Sequence, residues 1–375
     1  MLKKGNNAAK KKKKKKKLAC NKTGDGQHPH YETYIIIIEI VFEDVIAVRD
    51  SVSLEHLKEL SSRRRVIEHS INQTSFIIEA IAREMSGGST SRSEQECLRL
   101  EHYLPLLENF IYHADIVNNS SQMIRWTSQL KIQWTSFFQI DTLFLYGAVL
   151  RERALEFLPA DLEQSAFIFR EAAGVFHYLA HEVLPSLHSA ISAEKPPEAT
   201  SSVTSAISLI CLAKAQAVYI RKAEEKGNTG FGVLEKLHHG VADLLSEAVG
   251  TLNSGIGDSK GISSRFLEFI TSCKALHELR SQTYFAEGLK NDGQVGIAIG
   301  KIPVEDSWKT FFRKEIENSA DTLRKFEHEN EFVWHEKIPS GDELPLLQGH
   351  KIVKIEPYRP KKWERELAFK IWLNV

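Results

Sequence analysis

Between Arg324 and Gly349 the chain reads RKFEHENEFVWHEKIPSGDELPLLQG, and no other stretch restricts the possible folds so tightly. An amphipathic helix runs up to Glu329-Asn330 and hands over to an aromatic-rich segment, Phe332 to Glu336, which reads as extended. Pro339 stops any helix, Gly341 permits a tight turn, and Glu343-Leu344-Pro345 opens a second extended piece. A generic bundle accepts many orders of apolar residues. This order specifies how one long helix must end.

Upstream, the pattern is helical from Leu54 onward. Leu54, Leu57, Leu60, Ile67 and Ile71 open a helix that reads on to Met85, with Gly87-Gly88 as its stop. Leu100, Leu104, Leu107 and Ile111 keep the spacing, and Pro105 predicts a kink or a start within the first turn. Leu162, Ala166, Phe169, Ala173, Phe176 and Ala180 form a stripe that ends at Pro185. Thr200 or Ser201 reads as the N-cap of a helix carrying Val203, Ile207, Ile210 and Ala217. Phe266, Ile270, Cys273 and Leu276, then Phe312, Ile316, Leu323 and Phe326, give two more long helices. Each stripe needs a neighbour to cover it. No fixed period of 33 or 34 residues emerges, so a standard repeat array is not supported. The expectation is a mainly all-α, elongated, irregular solenoid with a few short peripheral strands in the terminal segments.

The zero formal net charge hides an asymmetry. Eleven lysines (Lys3, Lys4, Lys10 to Lys17 and Lys22) precede any acid, which leaves 38 basic against 49 acidic groups from Thr23 onward, a net −11. Residues 1–30 have nothing to bury and repel themselves, so disorder is expected there. Residues 31–53 form a strand-like segment, with β-branched Ile35 to Val41 the candidate strand. Residues 54–375 read as one helical domain.

Cys20, Cys97, Cys211 and Cys273 form neither a CxxC nor a zinc-spaced cluster, and the last three sit in helical stripes as small apolar residues. That favours a reducing, cytosolic setting. No stretch approaches the roughly 18 to 20 apolar residues of a membrane span. Tyr34 to Val48 comes nearest but is broken by Glu39, Glu43 and Asp44. Any membrane contact is expected to be peripheral, through Lys10 to Lys17.

The signals for chemistry are weak. His177 and His181, beside Glu182, have metal-ligand spacing, but Tyr178-Leu179-Ala180 leaves no general base between them. Gly255-Ile256-Gly257 reads as a turn. No GxSxG, P-loop or Cys/His triad appears, so neither enzyme, cofactor nor metal is expected. For the lysine run, no specific role ranks first, lipid contact second and nucleic acid third, because no aromatic residue is interleaved for base stacking.

The Asn330…Trp334-His335-Glu336…Pro339 order resembles the closing signature of the Bro-one (BRO) domain family. Three further blocks match that family in order: Phe169 to Phe176 (FREAAGVF), Ser208 to Ala223 (SLICLAKAQAVYIRKA) and Val233 to Leu237 (VLEKL). The tone is closest to the family's plant Brox-like branch. The small-residue block implies helices packed closely against each other. Residues 1–50 match nothing in the family, and the domain reads as shortened near 135–145 and 300–303. The branch's C-terminal prenylated Cys has no counterpart in Trp372-Leu373-Asn374-Val375, so no lipid anchor is expected.

The resemblance implies a non-enzymatic adaptor, cytoplasmic and peripheral at endosomes, that acts in multivesicular-body sorting. Its expected partner is the C-terminal amphipathic helix of an ESCRT-III subunit, held by apolar anchors with flanking charges setting register. Carried over residue by residue, the apolar patch falls on Tyr219, Val233 and Leu237, and its basic flank on Lys222 and Lys236. A third family lysine falls on Glu163. From spacing alone the three apolar residues read as ordinary core. The alternative is a helical scaffold with a different protein partner, its basic tail on anionic lipid or nucleic acid.

Overall fold

The computed structural model describes residues 41–45, 51–72, 92–114, 123–125, 131–186, 199–254, 264–301, 309–340 and 343–361. The lysine run, Ile35 to Ile40, the stretch to Met85 and Gly87-Gly88, Gly255-Ile256-Gly257 and Pro303 lie outside these residues. Ten helices are described: α1 (Phe42–Val45), α2 (Ser51–Asn72), α3 (Arg92–Ala114), α4 (Trp134–Phe157), α5 (Leu162–Tyr178), α6 (Ser201–Lys226), α7 (Phe231–Ser254), α8 (Ser264–Asn291), α9 (Val295–Lys301) and α10 (Lys309–Glu329). A π-turn (Leu179–Val183) and one further turn (Leu184–Ser186) prolong α5.

The boundaries follow from local chemistry. Asp161 caps α5 by accepting from the amides of Glu163 and Gln164 at 2.9 and 3.0 Å, and Glu163 adds a negative charge where the helix dipole favours one. Thr200 is the N-cap of α6, and Gly227 ends it at φ 65, a conformation that is strained for residues with a Cβ. Pro105 lies well inside α3 and does not end it. Phe42–Val45 is a helical turn within the segment read as strand-like. The described strands sit mid-chain, not at the ends: Met123–Arg125 pairs antiparallel with Lys131–Gln133, Ile124 opposite Ile132. Residues 134–157 form one continuous helix.

Most helices pack chiefly on a neighbour in sequence, the largest contacts being α7 on α8, α5 on α6, α6 on α7 and α4 on α5. That is solenoid logic: an amphipathic helix buries its stripe on the next one. Arg64 of α2, buried, pairs with Glu68 at 2.6 Å and reaches Asp141 of α4 at 3.5 Å. A separate core of Ala286, Val295, Ala298, Ile299 and Phe326 joins α8, α9 and α10. Among the described residues, α6 is long and apolar enough by length and composition to cross a membrane, contrary to the sequence expectation that no stretch approaches that. Two thirds of its most apolar window is buried, as expected of a core helix between α5 and α7.

The end of α10 corrects the sequence reading. Phe332 to Trp334 are not extended; they complete a π-turn, Asn330–Trp334. The His335 amide donates to the Asn330 carbonyl at 2.8 Å, and His335 takes a left-handed φ of 53. The Asn330 side chain then clamps Glu336 both ways, donating to its carbonyl and accepting from its amide at 2.9 Å each. Glu336 in turn accepts the Gly296 amide at 2.7 Å, tying the turn to α9. Asn is needed because one side chain must both donate and accept.

Beyond this turn, Pro345 to Lys361 forms a strap without helix or strand. The His350 amide donates to the Lys236 carbonyl of α7 at 2.8 Å, and the Glu356 amide to the Arg170 carbonyl of α5 at 3.0 Å. Arg170 Nε donates to the Lys354 carbonyl at 2.7 Å, and Tyr358 Oη to Glu108 of α3 at 3.0 Å. Two glycines make the approach feasible. A Cβ on Gly240 would lie 2.3 Å from the His350 carbonyl oxygen, and one on Gly174 would lie closer still to that of Glu356. The small-residue block of α5 therefore admits the strap backbone as well as neighbouring helices.

Candidate functional site

The turn Gly227 to Gly230 folds α6 back against α7, so the end of one helix and the start of the next form a hairpin. Four of the five residues singled out from the sequence present surface there. Val233 is 53% exposed, Tyr219 is half-buried, Lys236 is exposed and Lys222 is partly exposed. Leu237 is only 7% exposed. It is one helical turn beyond Val233, in the turn whose Lys236 carbonyl receives the strap. Phe231, at the first residue of α7 and 37% exposed, stacks on Tyr284 with ring centroids 6.2 Å apart.

The charges are not arranged as a simple basic flank. Lys222 Nζ is bonded to Glu163 Oε2 at 2.5 Å, from α6 to the first turn of α5. That hydrogen bond holds the Lys222 ammonium above its ordinary pKa. Arg221 pairs with Glu225 at 2.9 Å. Lys236 makes no ion pair among the described residues.

Beneath the hairpin lies a polar network that sequence reasoning missed. Glu224 Oε1 accepts from Tyr284 Oη at 2.8 Å and contacts His238 Nε2 at 3.2 Å. His238 Nδ1 lies 2.9 Å from His277 Nδ1, both rings being buried. Donor and acceptor roles follow: His238 donates Nε2–H to the carboxylate, which leaves its Nδ1 as acceptor and requires His277 to donate Nδ1–H. Burial pushes both imidazole pKa values down, that of His277 furthest, while the His238 hydrogen bond lowers that of Glu224. Beside this network Gln216, fully buried, donates to the carbonyls of Leu237 and His350 at 2.7 and 2.9 Å and accepts the Ile352 amide at 3.1 Å. Polar residues inside an apolar stripe, such as Gln216 and His238, were the available signal.

His177 and His181 stack with ring centroids 4.0 Å apart, and His181 Nδ1 bonds the His177 carbonyl at 2.9 Å, a local helix contact. Among the described residues no three His, Cys, Asp or Glu side chains form a metal cluster.

Comparison with known proteins accounts for this architecture. The human BRO1 domain-containing protein BROX is 25% identical over 305 residues, covering 69% of this chain and 72% of that protein. The apoptosis-linked gene 2-interacting protein X 1 of Caenorhabditis elegans is 24% identical over 246 residues, covering 61% of this chain and 27% of that protein. Among solved structures, the ALIX BRO1 CHMP4C complex superposes with a TM-score of 0.62 at 17% identity, over 84% of this chain and 88% of that one. ALIX in complex with the SIVmac239 PYKEVTEDL late domain superposes at 0.66 and 16% identity, over 85% of this chain and 46% of that one. The model of the BRO1-like domain matches residues 125–370, most of the described helical body, and the chain belongs to the BRO1-like domain family.

Proposed function

We propose that this chain is a non-enzymatic adaptor that binds the C-terminal amphipathic helix of an ESCRT-III subunit across the α6–α7 hairpin, at endosomal membranes. The observation that carries the reading is Val233. It is a large apolar residue left 53% exposed at a helical hairpin that also carries half-buried Tyr219 and exposed Lys236. Apolar residues at this spacing ordinarily face a core, and this one faces solvent. A helix laid over it would bury apolar anchors at its own i, i+3 and i+4 positions. A structural neighbour was solved as the ALIX BRO1 CHMP4C complex, which supports a partner of that class. Leu237, deeper than Val233, belongs to the floor of the site, and Lys236, without an ion pair among the described residues, supplies a cation on its flank. The lysine run, as a peripheral contact with anionic membrane, would add affinity that fades with salt.

The test is a hydrogen-exchange footprint of a CHMP4C C-terminal helix peptide on the full chain. Added protection confined to 219–237 supports the reading. No binding, or protection elsewhere on the solenoid, overturns it.

A further inference from the structure

We propose that Glu163 is a specificity determinant of this site, acting as an internal competitor for the Lys222 ammonium of α6. This deepens the helix-binding reading above and rests on it. Lys222 is not waiting for a partner. Its ammonium already holds the Glu163 carboxylate at 2.5 Å, although the two residues are 59 positions apart in sequence. The pairing is built by the α5–α6 packing, and Asp161, which caps α5, adds a second carboxylate near the same ammonium. The neighbouring cation of α6 is also engaged, Arg221 with Glu225. Exposed Lys226, in the last turn of α6, and exposed Lys236 of α7 stand without an ion pair among the described residues.

An incoming helix with a carboxylate opposite Lys222 must displace Glu163 or share its ammonium. Either way two like charges come within about 5 Å at a solvated rim, where their repulsion amounts to roughly a two- to fivefold loss in affinity. A helix with an amide or hydroxyl at that position meets no such opposition. The site therefore prefers amphipathic helices whose acidic residues lie toward Lys226 and Lys236 and whose residue opposite Lys222 is uncharged. Specificity of this kind comes from a built-in repulsive element as well as from attractive contacts.

The experiment compares the full-length chain with Glu163→Gln, which keeps the shape and removes the charge at a side chain that is 72% exposed. Two probes are titrated: the CHMP4C C-terminal helix peptide, and a version with every Asp and Glu replaced by Asn and Gln. The expected result is a two- to fivefold rise in the acidic-to-amide affinity ratio in E163Q, fading as salt is raised. A ratio unchanged by the substitution, or a gain equal for both peptides, overturns the role of Glu163 and leaves the helix-binding reading standing. If neither peptide binds either protein, both readings fail together.

Discussion

Gln216 joins three parts of the structure with one side chain, and its removal should show in each. It lies fully buried in α6, donating to the Leu237 carbonyl of α7 and the His350 carbonyl of the strap while accepting the Ile352 amide. Gln216→Ala deletes three hydrogen bonds worth about 1 kcal/mol each, so the chain should lose about 3 kcal/mol of stability. Gln216→Glu keeps the acceptor for Ile352 but turns oxygen toward two carbonyls, and should cost at least as much. Urea unfolding measures the total, and hydrogen exchange at Ile352 reports whether the strap has lifted. A loss under about 0.5 kcal/mol, the range of an inconsequential surface change, with Ile352 equally protected in Q216A, would refute the reasoning.

Three further outcomes are expected. Burial pushes the Glu108 carboxyl up to about 7, well above its ordinary value. The folded chain therefore holds that proton more tightly than the unfolded one, and the contribution to stability is lost as pH rises from about 4.5 to 7. Glu108→Gln should then gain on the wild type by about 2 kcal/mol across that window in paired thermal melts, a figure reduced for partial exposure; parallel melting curves would contradict this. His277 is shifted the other way, its folded pKa held well below 6.5, so the folded state binds fewer protons and stability falls as pH drops below that value. His277→Gln should flatten the acid side of the melting profile between about pH 6.5 and 5, and an unchanged slope would argue against the buried pair. Leu237→Asp should unfold or aggregate the chain, because at 7% exposure the carboxylate would be buried unpaired; a mutant with native helical content and melting would show that Leu237 is surface after all.

What could be read from sequence followed the reach of each interaction. The stripes of α5 and α10 were legible because a 3.6-residue period is a local property of the chain. The π-turn at Asn330–Trp334 was not, because it depends on one Asn side chain closing back on Glu336, and the aromatic residues there look equally suited to a strand. The strap was half legible. Pro339 and Pro345 marked irregular backbone, yet nothing local connects His350 to Lys236, and Gly174 sits in a block that reads as helix-packing. At the candidate site, Val233 and Leu237 are equivalent by spacing, and only packing makes one 53% and the other 7% exposed. His238 and His277 lie 39 residues apart on neighbouring helices, a separation that no periodic pattern reports.

The central claim is that Val233 is a surface anchor for a partner helix, and a single paired measurement on Val233→Asp tests it. At 53% exposure the substitution faces water in the free protein, so helical content and melting should match the wild type within about 0.5 kcal/mol. In the complex the same carboxylate would meet the partner's apolar face. Lost burial of about 1 kcal/mol plus desolvation of the charge should weaken binding of the CHMP4C C-terminal helix at least 30-fold, about 2 kcal/mol. A folded V233D chain that binds the peptide as tightly as the wild type would contradict the account.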